Sequence, residues 1–240
     1  MNITKEIRRA YFSEFRRISL PERVILFTSA LANEGKTFIA MELAIGAALR
    51  FGHNQKVLFI DMNSFNQAGS IDFLGKEKAL QSKGVVNILA GDAEVESCVY
   101  PTHVPRLSIM PYGKDVDDFE PMEHLQKLDH MIHNQFKDYL IFIDAGSVFV
   151  RNRRNFDPTE IAQIADHVIL IVLSGKTPRE LIMKCKKDIE GCGGKIFGII
   201  MNDMFVKAFR SEVAGYLSWL EYIPLIKKPV RYLRARFGIY

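Results

Sequence analysis

Along the chain, short runs that are apolar at almost every position alternate with longer stretches in which apolar residues return every three to four places. The short runs are Val24–Ser29 (VILFTS), Lys56–Asp61 (KVLFID), Leu107–Pro111 (LSIMP), Tyr139–Asp144 (YLIFID), Val168–Leu173 (VILIVL) and Ile196–Asn202 (IFGIIMN). Continuous apolar character fits strands covered on both faces. The longer stretches predict helices over Thr37–Leu49, Met122–Phe136, Pro158–Ala165 and Arg179–Ile189. Strands and helices in alternation predict βαβ units, and so an α/β fold with a doubly wound, mostly parallel sheet. No internal repeat or low-complexity linker interrupts the pattern, so residues 21–226 read as one domain. Residues 1–20 read as a helix outside the alternation, either packed on the sheet or forming an oligomer or partner contact. Residues 227–240 read as a basic tail.

Composition narrows the classes. The 240 residues suffice for one large domain with a sizeable core. The 32 basic and 28 acidic residues leave a net charge of +4, which excludes a polybasic nucleic-acid coat, and no nucleic-acid partner is expected. A hydrophobic fraction of 48%, with 11% aromatic, fits a folded globule. The three cysteines, Cys98, Cys185 and Cys192, form no C-x-x-C pair, so neither a disulfide framework nor a zinc site is expected and a reducing cytoplasm is. No apolar run approaches the roughly 18 residues of a membrane span. The opening MNITKEIRRAYFSEFRR lacks a continuous apolar core, so a secretory signal is not expected.

The first strand runs into Ala30-Leu31-Ala32-Asn33-Glu34-Gly35-Lys36-Thr37, which fits the phosphate-binding pattern Ala/Gly-x4-Gly-Lys-Ser/Thr. Such a loop wraps phosphates with backbone N–H groups, while the next helix turns its positive end toward them. Lys36 would neutralise the β- and γ-phosphates, and the Thr37 hydroxyl would ligate Mg²⁺. The expected nucleotide contacts are Ala32, Asn33, Glu34, Gly35, Lys36, Thr37 and Phe38. Two further strands end in carboxylates, Asp61 and Asp144. Ligands of such sheets sit at the carboxyl ends of the strands, where these two groups could hold Mg²⁺ directly or through water.

These motifs resemble the bacterial tyrosine kinases, cytoplasmic ATPases related to MinD and ParA that accompany capsule and exopolysaccharide assembly. SALANEGKT (Ser29 to Thr37) is similar to the family's S-A-x-P-G-E-G-K-T, and KVLFIDMN to its second Walker motif, apolar residues followed by D-x-D. GVVNILAGDAEVESCVYPT (Gly84 to Thr102), YLIFID, ADHVILIVLSGKTPRE (Ala165 to Glu180) and GGKIFGIIMNDM (Gly193 to Met204) resemble later family segments. The resemblance implies ATP and Mg²⁺ as cofactors, with Lys36, Asp61 and Asp144 catalytic, Thr37, Asp61 and Asp144 on the metal, and Asn202 against adenine. It also implies a partner, the cytoplasmic segment of a membrane polysaccharide co-polymerase or export protein, at the inner face of the bacterial membrane.

The departures matter equally. Asn63 replaces the second Asp of D-x-D, and an amide accepts no proton. Glu34, Asp72 or a residue from another subunit could take its place. Ala145-Gly146-Ser147 replaces the usual T-P-P, and Ala32-Asn33 replaces P-G, where Asn tolerates the left-handed backbone of the turn. Leu31 stands where MinD and ParA proteins carry their signature Lys. The tyrosine cluster is reduced to Tyr232 and Tyr240, with Tyr216 and Tyr222 upstream, and Glu14-Phe15-Arg16-Arg17 only partly matches the family's oligomer motif. Two alternatives therefore stand beside the kinase: a nucleotide-dependent scaffold, and a MinD-like ATPase holding an anionic membrane through Lys227, Lys228, Arg231, Arg234 and Arg236. Arg151, Arg153 and Arg154 form either an electropositive lip near the site or a solvated loop. His130 and His133 read as ordinary histidines on a polar face rather than metal ligands.

Overall fold

The computed structural model describes residues 23–50, 55–64, 67–114, 116–150 and 153–203. The expected N-terminal helix, Arg151, the four C-terminal tyrosines and the basic tail lie outside these residues. The strands form where the apolar runs place them: β1 (Val24–Ser29), β2 (Lys56–Asp61), β4 (Leu107–Met110), β5 (Tyr139–Ser147), β6 (His167–Leu173) and β7 (Ile196–Asn202). With the short β3 (Tyr100–Pro101) they make one sheet in the order β3-β4-β2-β5-β1-β6-β7. Every pairing is parallel except β3 with β4. Pro101 cannot donate to a ladder, and it occupies the outer strand where no donor is needed.

The helices are α1 (Lys36–Arg50), α2 (Ala68–Leu74), α3 (Lys76–Gln81), α4 (Val85–Ala90), α5 (Leu125–His130), α6 (Pro158–Ile164) and α7 (Arg179–Gly191). They cover the sheet on both sides, so β1, β2, β5 and β6 bury both rows of side chains, whereas β7 at the edge leaves Phe197, Ile199 and Met201 exposed. On one face Phe27, Phe59, Phe142 and Ile171 pack with Leu43 and Ala44 of α1 and Phe73 of α2. On the other, Leu26, Ile60, Ile143 and Leu170 meet Leu89, Leu128, Ile161 and Ile189 from α4 to α7.

Three expectations need correction. Strand β5 does not stop at Asp144 but runs through Ala145, Gly146 and Ser147. None of these is proline, so the ladder continues, and Ser147 pairs with Ser29 at the end of β1. The single helix expected over Met122–Phe136 is a 3₁₀ turn at Pro121–His124, then α5, then a π-helical turn at Met131–Gln135. Arg23 explains where that turn ends: its guanidinium donates to the carbonyls of Ile132 (3.3 Å), His133 (3.0 Å) and Phe136 (2.8 Å), which the helix leaves free. Finally, α2, α3 and α4 fill a region where no helix was predicted.

Candidate functional site

The junction of β1 and α1 lies at the centre of the sheet, at its carboxyl edge. Asn33 has φ 62° and Gly35 φ 85°, so the loop takes the left-handed turns that its Asn and Gly permit. At Gly35 the requirement is also spatial, because a Cβ would collide with the amide nitrogen of Asn202. The first turn of α1 carries no acidic residue, leaving its free N–H groups and positive dipole end uncompensated. The base of the loop is braced by the extended β5: Val148 N–H donates to Ser29 O (2.9 Å) and Phe149 N–H to Ala30 O (3.1 Å).

Above the loop lies a cavity of about 480 Å³. Ala32, Asn33, Gly35, Lys36, Thr37 and Phe38 line one side. Asn63, Ala68 and Asp72 come from the β2–α2 side, and Gly146, Ser147 and Asn155 from the end of β5 and the loop beyond. Lys36 is buried, with its ammonium 3.4 Å from Ser147 Oγ. Ser147 in turn donates to Leu31 O (2.8 Å) and pairs with Ser29 Oγ (3.0 Å). Asn155 Oδ1 accepts from Ser64 N–H (2.9 Å), tying the loop after β2 to the loop after β5.

Asp61 and Asp144 are register partners on adjacent strands, both at 0% exposure beneath this cavity. Their environments differ. Asp61 Oδ2 accepts from Ser70 N–H and Ser70 Oγ, both at 2.8 Å, and Oδ1 from Asn63 N–H at 3.1 Å. Burial raises its pKa, and these hydrogen bonds oppose the rise. Neither Asp144 oxygen has a hydrogen-bond partner. Its pKa is pushed up to about 7, first by burial and then by the charge of Asp61, while Lys36 and the nearby Thr37 hydroxyl pull the other way. An unpartnered carboxylate under a phosphate-binding loop, beside a threonine hydroxyl, suits a divalent cation that takes its other ligands from phosphate and water. The donor set therefore fits Mg²⁺ at Thr37 and Asp144. Asp61, with both oxygens engaged, holds the β2–α2 connection.

Two of the expected contacts have side chains that bond to the loop and its surroundings rather than line the cavity. Glu34 is 2% exposed and turned away from the cavity: Oε2 accepts from Leu31 N–H (2.9 Å) and Oε1 from the Thr177 hydroxyl. Asn202, implied as an adenine contact, sets its amide on the Glu34 carbonyl (2.9 Å) and braces the loop from behind. Arg153 borders a second cleft that shares Gly146, Ser147, Val150 and Asn155 with the first, so this arginine adjoins the site. His130 pairs with Asn134, and His133 with Ile164 O and Arg23, so neither is arranged as a ligand. Among the described residues no group of three or more His, Cys, Asp and Glu side chains is placed to hold a metal. Sequence reasoning missed the contributions of Ser70, Ser147 and Asn155. Ser147 carried a signal, being polar where the resemblance sets a proline, whereas Ser70 and Asn155 carried none.

No family model matches the chain. It is similar to tyrosine-protein kinase CpsD of Streptococcus agalactiae serotype III (strain NEM316), 30% identical over 203 residues that span 83% of this chain and 82% of that protein. The kinase domain of Escherichia coli tyrosine kinase ETK superposes with a TM-score of 0.69 at 21% identity, covering 83% of this chain and 74% of that one. The septum site-determining protein MinD of Pyrococcus horikoshii OT3, complexed with Mg-ADP, superposes with a TM-score of 0.58 at 22% identity, covering 75% and 71%. The two structures share the doubly wound, mostly parallel P-loop ATPase fold seen here. No helix among the described residues is long and apolar enough to cross a membrane.

Proposed function

The chain belongs to the bacterial tyrosine kinase family, and from that premise we propose that it binds MgATP at the β1–α1 loop and transfers the γ-phosphate to tyrosine. The observation that carries this reading is Asp144, a fully buried carboxylate with both oxygens unpartnered beneath the loop and next to Thr37. Such a carboxylate is costly to ionise in the free protein, and a cation brought by a ligand would offset that cost.

The loop N–H groups from Asn33 to Thr37 would hold the β-phosphate, and Lys36 would leave Ser147 to meet the β- and γ-oxygens. Thr37 and Asp144 would hold Mg²⁺, which when bound offsets the charge of the phosphates and of the developing transition state. Asp61 would keep α2 in place through Ser70, and Asn202 would keep the loop in its binding conformation. The site would serve exopolysaccharide or capsule synthesis and export, in contact with the cytoplasmic segment of a membrane co-polymerase. The family resemblance supports that setting.

Asn63 favours a second reading. It lines the cavity where a carboxylate is expected, so a nucleotide-dependent scaffold that transfers no phosphate is the alternative. The two separate when the purified protein is incubated with MgATP and phosphotyrosine is read by intact-mass and peptide mass spectrometry. The kinase reading expects added phosphate that disappears in Lys36→Met. ATP binding with no added phosphate supports the scaffold.

A further inference from the structure

Transfer of a phosphoryl group to a hydroxyl releases a proton, and a titratable group within reach of the attacking oxygen speeds the step by accepting it. Asn63 cannot supply one. Of the carboxylates around the loop, Asp61 and Asp144 lie fully buried below the cavity, the first saturated by Ser70 and Asn63, the second beside Thr37. Glu34 is buried with both oxygens bound to Leu31 and Thr177. Among the described residues, Asp72 is the one carboxylate in the wall of the phosphate cavity, on the same side as Asn63.

Asp72 is exposed, but the helix that carries it is anchored on either side of it. It lies on α2 between two anchors. Two positions before it, Ser70 donates both its N–H and its hydroxyl to Asp61 at 2.8 Å. One position after it, the buried Phe73 packs edge-on against Phe59, ring centres 5.7 Å apart. At Gly69 a Cβ would strike the Phe59 ring at 2.6 Å, so the start of α2 lies directly on the sheet. Backbone anchored on both sides in this way fixes where the Asp72 carboxylate starts from, at the wall of the cavity.

Resting on the MgATP reading above, we propose that Asp72 is the catalytic proton acceptor of this site, in place of the carboxylate missing at Asn63. The acceptor hydroxyl, a tyrosine phenol or water, forms its oxygen–phosphorus bond at the γ-phosphate. The bond from that phosphorus to the β,γ-bridging oxygen breaks, and ADP departs with the electron pair. The proton of the hydroxyl passes to the Asp72 carboxylate.

The test uses the full chain in four forms: unaltered, Asp72→Asn, Asn63→Asp, and the double variant. Affinity for a fluorescent ATP analogue with Mg²⁺ is measured beside two turnover readouts, phosphotyrosine by mass spectrometry and inorganic phosphate release, which distinguish phenol from water. Asp72→Asn is expected to bind nucleotide like the unaltered chain and to lose about 100-fold or more in whichever turnover that chain shows. The acidic limb of its pH–rate profile should flatten, and Asn63→Asp in the same chain should restore at least about tenfold. Turnover of Asp72→Asn within about twofold of the unaltered chain overturns the proposal. So does a loss that Asn63→Asp fails to repair, because it marks a structural role. Nucleotide binding without turnover in the unaltered chain overturns the proposal and leaves the nucleotide site standing. Absence of nucleotide binding overturns both.

Discussion

Replacing Asp144 with Asn should stabilise the free protein and abolish its response to MgATP. The side chain is fully buried and unpartnered, and its pKa rises from 3.8 to about 7. The folded state therefore keeps a proton that the unfolded chain has already released between those two values. Stability falls as pH rises across that window, and the whole penalty is present above pH 7. The interval corresponds to on the order of 4 kcal/mol at pH 8. An amide removes the charge but leaves a buried polar group with no partner, which takes back about 1–3 kcal/mol. The net gain is on the order of 1–3 kcal/mol at pH 8, roughly 2–12 °C in Tm for a chain of this size, and it shrinks toward pH 4. The assay is thermal denaturation by near-ultraviolet circular dichroism at pH 5 and pH 8, with and without MgATP. At pH 8 the free variant should melt above the unaltered protein, and added MgATP should raise only the latter. A variant that melts lower at pH 8, or that gains as much from MgATP, refutes the assignment of Asp144 as a buried cation ligand.

Gly35→Ala places a Cβ at φ 85° against Asn202, and should cost about 1–2 kcal/mol of stability from the backbone alone, with a larger loss of nucleotide affinity read by titration. Ser70→Ala removes one of the three donors on buried Asp61, and should lower stability by about 1–3 kcal/mol in urea denaturation. It should also reduce turnover more than ATP binding, since α2 carries Asp72 and the loop from Asn33 to Thr37 is untouched.

Much of the architecture was legible because each long strand is an apolar run, and β1, β2, β5 and β6 are buried on both faces as such runs suggest, while β7 at the edge is apolar but half exposed. The phosphate loop was legible because its backbone needs specific residues, and Asn33 adopts the left-handed conformation expected of it. The helices α2, α3 and α4 were not, since six or seven residues span fewer than two turns and show little periodicity. The end of the π turn depends on Arg23, more than a hundred residues away from Ile132 and Phe136 in the chain. The residues of the site divide in the same way. Lys36 and Thr37 follow from the loop motif, and Asp144 from the apolar run that precedes it even though that strand continues to Ser147, whereas Glu34 and Asp72 were equal candidates until their surroundings separated them. Which one faces the cavity depends on Leu31, Thr177 and the packing of Phe73, contacts that no local pattern records.

The most direct measurement is a calorimetric titration of the purified protein with ATP in the presence and absence of Mg²⁺, with Lys36→Met alongside. Saturable binding that strengthens with Mg²⁺ and vanishes in Lys36→Met is the predicted result. No heat beyond dilution in the unaltered protein, or Mg²⁺-independent binding that survives Lys36→Met, would contradict a MgATP site built on this loop.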